Sequence, residues 1–285
     1  MRQPPYDQLY IYEVLGDARP WVAEAGPAYL GLWLEDRTSF IFFASPADEL
    51  VAGWLAAAGL VLRQRHHMTY EQWQGGLEME PIILEGLAVL PAWSDQAPPD
   101  DRPHLRLDPG LVFGNGLHPT TRHCLELLVA LARRRPLGAV LDLGCGTGIL
   151  ALAAARLGGS PVTAVDLNPL CVTTTRANAE LNRLELAVIE GSAPELAGRP
   201  ADTLLANIHW EVQAAVLARP ENLRGKRDLI LSGLMRSQRG PLEDLVTARG
   251  YQIIQRREAA GTWFTLWARS KDTAPRPGGG PGGGR

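Results

Sequence analysis

Alternating apolar and polar positions predict a small α+β layer in the first part of the chain. Alternation typical of strands occurs in three segments, residues 9–14, 29–34 and 39–43. The polar turn between the last two predicts a hairpin. A Ser-Pro pair and two acids predict a helix from Ser45 to Ala58, after which residues 60–65 return as a strand. These elements predict a ferredoxin-like layer with a short first helix.

From Pro81 onward the pattern changes to alternating strands and helices. Two strand-like stretches come first, residues 82–90 and 105–107. Five apolar runs separated by helical stretches follow, at residues 139–144, 162–167, 186–190, 203–208 and 229–233. Two final runs, residues 251–257 and 262–268, are joined by a short turn and predict an antiparallel hairpin. The expected fold is therefore α/β, with a seven-stranded, doubly wound, Rossmann-like sheet.

Chemistry-bearing residues occur where the first parallel strand ends. This strand runs into D-L-G-C-G-T-G at residues 142–148, and the next strand ends in Asp166. The glycines of this glycine loop (residues 144–148) are Gly144, Gly146 and Gly148. An acid about 20 residues after such a loop is placed to accept ribose hydroxyls. The G-x-G-x-G spacing resembles the first motif of S-adenosyl-L-methionine (SAM) methyltransferases rather than the G-x-G-x-x-G of dinucleotide enzymes. The alternative is a strand–helix turn in which the glycines only redirect the chain.

Two further segments bring polar residues toward the same edge of the sheet. One is D-P-G-L-V-F-G-N-G-L-H-P-T-T-R at residues 108–122, and the other is L-A-N-I-H-W at residues 205–210. With the glycine loop, these segments closely resemble the PrmA family of ribosomal-protein methyltransferases, in which a D-P-G-x-x-F-G-x-G-x-H-x-T-T loop precedes the SAM motif. The resemblance runs from the first hairpin to Ala268.

The resemblance implies a SAM-dependent N-methyltransferase that acts on lysine, or α-amino, groups of a large-subunit ribosomal protein. Asn207 would then lie beside the cofactor and carry the chemistry, because its side-chain oxygen and the carbonyl of Ile208 could accept the acceptor amine's N–H bonds. An in-line displacement depends mainly on such positioning. The substrate slot would be lined by Phe113, Ile208, His209 and Trp210.

The same resemblance assigns roles to residues 108–122. Thr121, at the start of a helix expected near Arg122, would bind the methionine carboxylate of SAM through its hydroxyl and the helix N–H groups. Helix capping by the two threonines is the alternative. Phe113 and residues 114–116 would cover the cofactor. We call residues 108–118 the lid loop.

Composition narrows the functional classes. The net charge of −3 gives no basic footprint, so no direct nucleic-acid site is expected. The chain has no apolar run of membrane-spanning length, and no signal peptide is expected because its first residues have no apolar core. Its three cysteines are odd in number and lack metal-ligand spacing, which favours a reduced protein. A cytoplasmic location with no membrane contact is therefore expected. His118 and His209 have no third ligand at metal-binding spacing, so no metal site is predicted.

Four segments with different roles are expected along the chain. Residues 1–68 would recognise the protein substrate, residues 69–80 would form a linker helix, residues 81–270 would form the methyltransferase domain, and the Gly/Pro-rich residues 271–285 would be disordered.

Three departures from the family pattern leave the acceptor open. His209-Trp210 replaces the usual Leu-Ala, Asn115 stands where threonine is frequent, and little room remains before Tyr29 for a first helix. The alternatives are methylation of another protein or of a small-molecule amine, and a non-catalytic SAM-binding interaction module.

Overall fold

The computed structural model describes residues 7–35, 37–74 and 79–272. The predicted end of the linker helix at Gly75-Gly76 and nearly all of the predicted tail lie outside these residues. The strands are β1 (Gln8–Leu15), β2 (Tyr29–Glu35), β3 (Thr38–Phe43), β4 (Val61–Thr69), β5 (Ile82–Leu84), β6 (Leu87–Pro91), β7 (His104–Leu107), β8 (Val140–Leu143), β9 (Val162–Asp166), β10 (Ala187–Glu190), β11 (Thr203–Asn207), β12 (Asp228–Met235), β13 (Tyr251–Ala259) and β14 (Trp263–Ser270). The helices are α1 (Asp48–Ala58), α2 (Tyr70–Trp73), α3 (Pro119–Arg134), α4 (Ile149–Arg156), α5 (Pro169–Leu181), α6 (Ala193–Leu196), α7 (Trp210–Ala218) and α8 (Arg239–Ala248).

A seven-stranded sheet in the order β10-β9-β8-β11-β12-β14-β13 organises the second part of the chain. The strands from β10 to β12 are parallel, whereas β14 pairs antiparallel with both β12 and β13. The predicted α/β Rossmann-like sheet with a terminal hairpin is thus confirmed. Chain order reverses between β8 and β11, and such a reversal opens a ligand crevice at the carboxyl ends of the strands.

Both faces of this sheet are covered by helices. In β11, the adjacent residues Leu204 and Leu205 are fully buried in different core clusters, since successive strand residues point to opposite faces. Leu205 packs in the cluster that contains α3 and α4, and Leu204 packs in the cluster that contains α7 and α8. This two-sided burial explains why the parallel strands read as continuous apolar runs.

The first part of the chain forms an antiparallel four-stranded sheet in the order β2-β3-β1-β4. The predicted β2–β3 hairpin is present. Only a short 3-10 helix, Val22–Glu24, lies between β1 and β2. One face of the sheet packs on α1, where Val51 and Trp54 are buried.

The start of α1 was expected too early. The helix begins at Asp48 rather than near Ser45, with Ala47 at its N-cap. Ala47 has φ −129° and ψ 30°, which lie outside the helical range, and its backbone N–H donates to the Tyr12 hydroxyl of β1 at 2.8 Å. The Ser-Pro pair therefore lies before the first helical residue. The predicted end is confirmed, because Gly59 adopts φ +64° at the C-cap.

The other face of the four-stranded sheet packs against the methyltransferase part. Leu9 and Phe42 of the sheet form one buried cluster with Leu111 of the lid loop and Leu170 of α5. The approach is close, since a Cβ at Gly31 of β2 would lie 2.5 Å from the Leu170 side chain. The segment boundaries at residues 68, 80 and 270 stay predictions.

A third sheet, in the order β5-β6-β7, precedes the seven-stranded one. The prediction of a single strand over residues 82–90 is wrong, because the chain turns at Glu85-Gly86 and β5 and β6 pair antiparallel. Gly86 fits against α3, where a Cβ would lie 2.9 Å from a methyl group of Val129. The residues on both sides of this turn are apolar, so the hydrophobic pattern alone predicts one continuous strand.

Candidate active site

The glycine loop adopts a backbone that other residues rarely reach. Gly144, Gly146 and Gly148 all have positive φ values, +73°, +55° and +82°. A Cβ at Gly144 would overlap the side chain of Ile208, and one at Gly146 would overlap the carbonyl of Phe113. These glycines are therefore required by the packing of the protein itself as well as by any ligand.

Asp166 ends β9 beside this loop. Its two carboxylate oxygens accept the N–H groups of Gly146 and Asn168, each at 2.9 Å. Burial raises the pKa of Asp166 above its ordinary value of 3.8, although the N–H bonds oppose the shift. Each oxygen keeps a second lone pair, so the carboxylate can also accept from a ligand hydroxyl.

Leu167, the next residue, is a candidate site residue that sequence reasoning missed. Its side chain is 71% exposed although it is large and apolar. It lies at the carboxyl end of β9, at the edge where the ligand crevice is expected. The sequence pattern predicts that it is the last residue of the strand. No signal in the sequence distinguishes it from a leucine of the core.

The lid loop lies directly against the glycine loop. The backbone N–H of Thr147 donates to the Phe113 carbonyl at 3.1 Å, and the Thr147 hydroxyl donates to the Gly114 carbonyl at 2.8 Å. The Phe113 side chain is 55% exposed. The residues expected to cover the cofactor are thus in contact with the loop that would hold it.

The linker helix α2 in turn holds the lid loop. Gln74 donates through Nε2 to the Gly110 carbonyl at 3.1 Å and accepts at Oε1 from Nδ2 of Asn115 at 2.9 Å. The Tyr70 hydroxyl donates to the same Gly110 carbonyl at 2.8 Å. Sequence reasoning missed this connection because Gln74 and Asn115 lie 41 residues apart.

A second bridge ties the start of the lid loop to the glycine loop. Asn178 of α5 is 1% exposed and donates through Nδ2 to the carbonyls of Asp108, at 2.8 Å, and Thr147, at 3.0 Å. Its Oδ1 accepts the N–H of Asp108 at 2.9 Å. Asn178 is a second positioning residue that sequence reasoning missed.

The first turn of α3 differs from its prediction. The helix begins at Pro119, not near Arg122, and its N-cap is His118, whose ring Nδ1 lies 3.4 Å from the Thr120 N–H. The N–H groups of Thr121 and Arg122 donate to the His118 carbonyl. Proline at the first helical position and a side-chain cap before it explain the earlier start. Capping by the threonines is therefore wrong as an alternative.

Thr121 and Asn207 are brought together from distant parts of the sequence. Asn207 ends β11, and its Nδ2 donates to the Thr121 hydroxyl at 3.2 Å. Both lie at the carboxyl edge of the sheet, next to the end of β8. Donation through the nitrogen orients the amide and leaves its oxygen as the group that can accept from an acceptor amine.

The segment after Asn207 is held by buried contacts. The Ile208 carbonyl accepts Nε2 of Gln213 at 2.8 Å, so one of the two lone pairs expected to receive the amine is already used. His209 is exposed, whereas Trp210 is half-buried and packs against the core cluster of α7 and α8. The bulk of Trp210 is thus partly turned toward the protein.

Aromatic rings continue from the lid loop to the terminal hairpin. The His118 ring contacts Phe113 and Trp263 edge to face, at centroid distances of 5.5 and 4.7 Å. Burial lowers the pKa of His118 below its ordinary value, which favours the neutral ring. Trp263 was missed because it follows the hairpin turn and belongs to no motif.

Asp142 lies under the glycine loop and is 1% exposed. Its Oδ2 accepts the N–H of Ala151 at 3.0 Å, while Oδ1 has no partner among the described residues. Burial raises the pKa of Asp142 to about 7. A buried polar atom without a partner is rare in a folded protein, and a bound ligand is one of the groups that can supply its partner.

Comparison with known proteins identifies the family. The model of the ribosomal protein L11 methyltransferase (PrmA) family matches residues 59–271. A ribosomal protein L11 methyltransferase of Parasynechococcus marenigrum is 40% identical over 205 residues, which cover 68% of this chain and 69% of that protein. One of Methylobacillus flagellatus is 35% identical over 231 residues, covering 78% and 76%. The chain belongs to the PrmA family.

A solved structure agrees with this membership. The crystal structure of a ribosomal protein L11 methylase from Lactobacillus delbrueckii subsp. bulgaricus superposes with a TM-score of 0.59 at 33% identity, covering 67% of this chain and 98% of that one. The match with a fourth family member, from Pelotomaculum thermopropionicum, spans only 60% of its length.

The cofactor of this PrmA-family chain is S-adenosyl-L-methionine. The site fits it, because the glycine loop, Asp166 and the exposed Leu167 lie at one edge of the sheet and Asp142 keeps an unpartnered oxygen there.

Among the described residues, no helix is long and apolar enough to cross a membrane.

Proposed function

We propose that this chain transfers a methyl group from SAM to an amine of a ribosomal protein, either a lysine side chain or an α-amino group. The observation that carries the proposal is the pairing of Asn207 with Thr121 at the carboxyl edge of the sheet, beside the glycine loop. The names of the relatives support the ribosomal acceptor.

Asn207 would position the acceptor amine. A lysine amine has an ordinary pKa of about 10.4 and must lose a proton before it can react. A partly dry slot lowers that pKa, and the Asn207 oxygen, together with the remaining lone pair of the Ile208 carbonyl, could accept the N–H bonds of the neutral amine. Asn207 is the catalytic residue of this proposal.

The cofactor would be held by residues from three strand ends. Asp166 would accept the ribose hydroxyls, Leu167 would contact the adenine, and Thr121 with Gly144 would border the methionine part. When bound, SAM supplies an electrophilic methyl group on a sulfonium centre. Phe113 and the rest of the lid loop would keep water away from the amine.

The N-terminal sheet would select the protein substrate, and α2 would align it. The order β2-β3-β1-β4 and the single long helix α1 support a ferredoxin-like layer whose first helix is reduced to Val22–Glu24. A ribosomal acceptor would also imply a cytoplasmic location.

An acceptor other than a ribosomal protein is the second candidate. His209-Trp210 supports it, because these residues add bulk beside the expected slot. The packing of Trp210 against the core reduces that bulk and so weakens the case for a small-molecule amine.

The test is to incubate the protein and its Asn207→Ala variant with methyl-labelled SAM and lysates with or without ribosomes. Label in one ribosomal protein, lost with Asn207→Ala while SAM affinity is retained, would support the proposal. Label in a small molecule or a non-ribosomal protein would support the second candidate. SAM binding without any transfer would point to a non-catalytic module.

A further inference from the structure

A cleft opens between the N-terminal sheet, α2 and the lid loop. Its volume is about 450 Å³, which lies in the range of ligand-binding pockets. Rings or apolar side chains from all three parts line it: Trp33 of β2, Trp73 of α2, and Phe113, Leu117 and His118 of the lid loop. It joins the predicted substrate-recognition layer to the predicted active site.

The polar side chains of the cleft are already engaged with the protein. Asn115 donates to Gln74 and accepts the N–H of Leu117 at 3.0 Å, while Gln74 donates to the Gly110 carbonyl. Nδ1 of His118 lies 2.7 Å from the Thr120 hydroxyl. Among the described residues that line the cleft, none is Asp, Glu, Lys or Arg. It therefore offers mainly apolar and aromatic contacts.

Some of the residues that line the cleft also contact the site. The carbonyls of Phe113 and Gly114 accept hydrogen bonds from Thr147 of the glycine loop. His118 caps the helix whose Thr121 accepts from Asn207. An occupant of the cleft would thus contact lid-loop residues that themselves contact the glycine loop and the first turn of α3.

We propose that the cleft binds an extended, uncharged and apolar segment of the acceptor protein next to the methylated residue, and that Trp33 determines this specificity. The inference rests on the proposed function and names its substrate class. Tryptophans are frequent anchors of peptide and protein contacts. Acidic or basic neighbours of the target would be disfavoured, because the described residues that line the cleft offer no oppositely charged partner.

An aromatic cleft could also stack nucleobases. Nucleic-acid sites, however, combine stacking rings with basic groups that contact phosphates. The described residues of the lining include no Lys or Arg, and burial keeps His118 toward its neutral form. The observations therefore favour a polypeptide occupant, and an RNA arm of the experiment tests the choice.

The test measures binding by fluorescence anisotropy, in the presence of SAM, and so does not depend on methyl transfer. Three labelled probes are compared: a short peptide with leucine and valine around one glutamine in place of the target lysine, the same peptide with aspartates around it, and a single-stranded oligoribonucleotide. The proteins are the wild type, Trp33→Arg and, as control, Val61→Arg, whose side chain is 56% exposed on the opposite edge strand β4.

The apolar peptide is expected to bind the wild type about tenfold more tightly than the acidic peptide, and Trp33→Arg should reverse this order. Val61→Arg should behave as wild type. Trp33 is only half-buried, and thermal unfolding and SAM affinity of the variant report whether its fold survives.

Three results would overturn the inference: equal affinities for both peptides, a preference that Trp33→Arg does not change, or tighter binding of the oligoribonucleotide. Methylation of a ribosomal protein alongside any of these results would leave the proposed function standing. Apolar-peptide binding with no methyl transfer to any protein would instead refute the proposed function alone.

Discussion

Replacement of Asn178 by alanine tests whether the two loops around the cofactor depend on one buried amide. The variant loses three hydrogen bonds, two to Asp108 and one to the Thr147 carbonyl, in a side chain that is 1% exposed. Each such bond contributes about 1 kcal/mol net, and a partner left buried without a bond costs more. Thr147 is fully buried, whereas Asp108 is half-buried and can recruit water.

The expected loss of unfolding free energy is therefore about 3 kcal/mol, which corresponds to a fall in Tm of about 6–12 °C for a chain of this size. SAM affinity should also fall, since Asp108 begins the lid loop and Thr147 belongs to the glycine loop. Thermal unfolding followed by tryptophan fluorescence gives the first quantity, and calorimetry gives the second.

Two further variants sharpen the Asn178 experiment. Arg176→Ala removes an exposed side chain of the same helix that makes one bond to the Val188 carbonyl, and its effect should stay within about 0.5 kcal/mol. Asn178→Asp keeps acceptance from Asp108 but loses both donations and buries a carboxyl group, so it should not restore stability. An alanine variant as stable as Arg176→Ala, with unchanged SAM affinity, would refute the reasoning.

Three other changes give distinct readouts. The pKa of Asp142 is raised from 3.8 to about 7, so its ionisation opposes folding increasingly as pH rises through this window. The unfolding free energy of Asp142→Asn, measured by urea titration relative to that of the wild type, should accordingly increase from pH 4 to pH 8. A difference that does not change with pH would contradict this. Asp166→Ala should weaken SAM binding about tenfold or more in a folded protein, and unchanged calorimetric affinity would remove Asp166 from the ribose site. Asn207→Asp should show a methylation rate that rises with pH more steeply than the wild-type rate, because a carboxylate favours the charged acceptor amine; a flat profile would place the acceptor elsewhere.

The sheet and the residues at its carboxyl edge could be predicted because each depends on local pattern. The strand ending in Asp166, the strand ending in Asn207 and the glycine loop each carry an apolar run followed by a polar or glycine signal. Parallel pairing then brings such ends to one edge without further information. Periodicity and motif spacing are sufficient for this part of the site.

The connections between the elements could not be predicted in the same way. Gln74 lies at the end of a helix and Asn115 lies in a loop, and neither position indicates a special role. They form a hydrogen bond only because α2 lies over the lid loop. The ring of His118 caps α3 locally, although histidine is not among the residues preferred at this position. The N–H of Ala47, just before α1, donates to Tyr12 of β1, 35 residues away. Contacts between residues so far apart in the sequence cannot be predicted from local periodicity.

The lid loop is the element that both proposals share. Its carbonyls contact Thr147 of the glycine loop on one side, and its Phe113, Leu117 and His118 line the cleft on the other. Gln74 fixes its position from the N-terminal side. If SAM and an acceptor segment both order this loop, each lowers the entropic cost for the other, and the two affinities must rise by the same factor. The hydrogen bonds from Gln74, at the end of α2, would then determine how far the lid loop is ordered before either ligand binds.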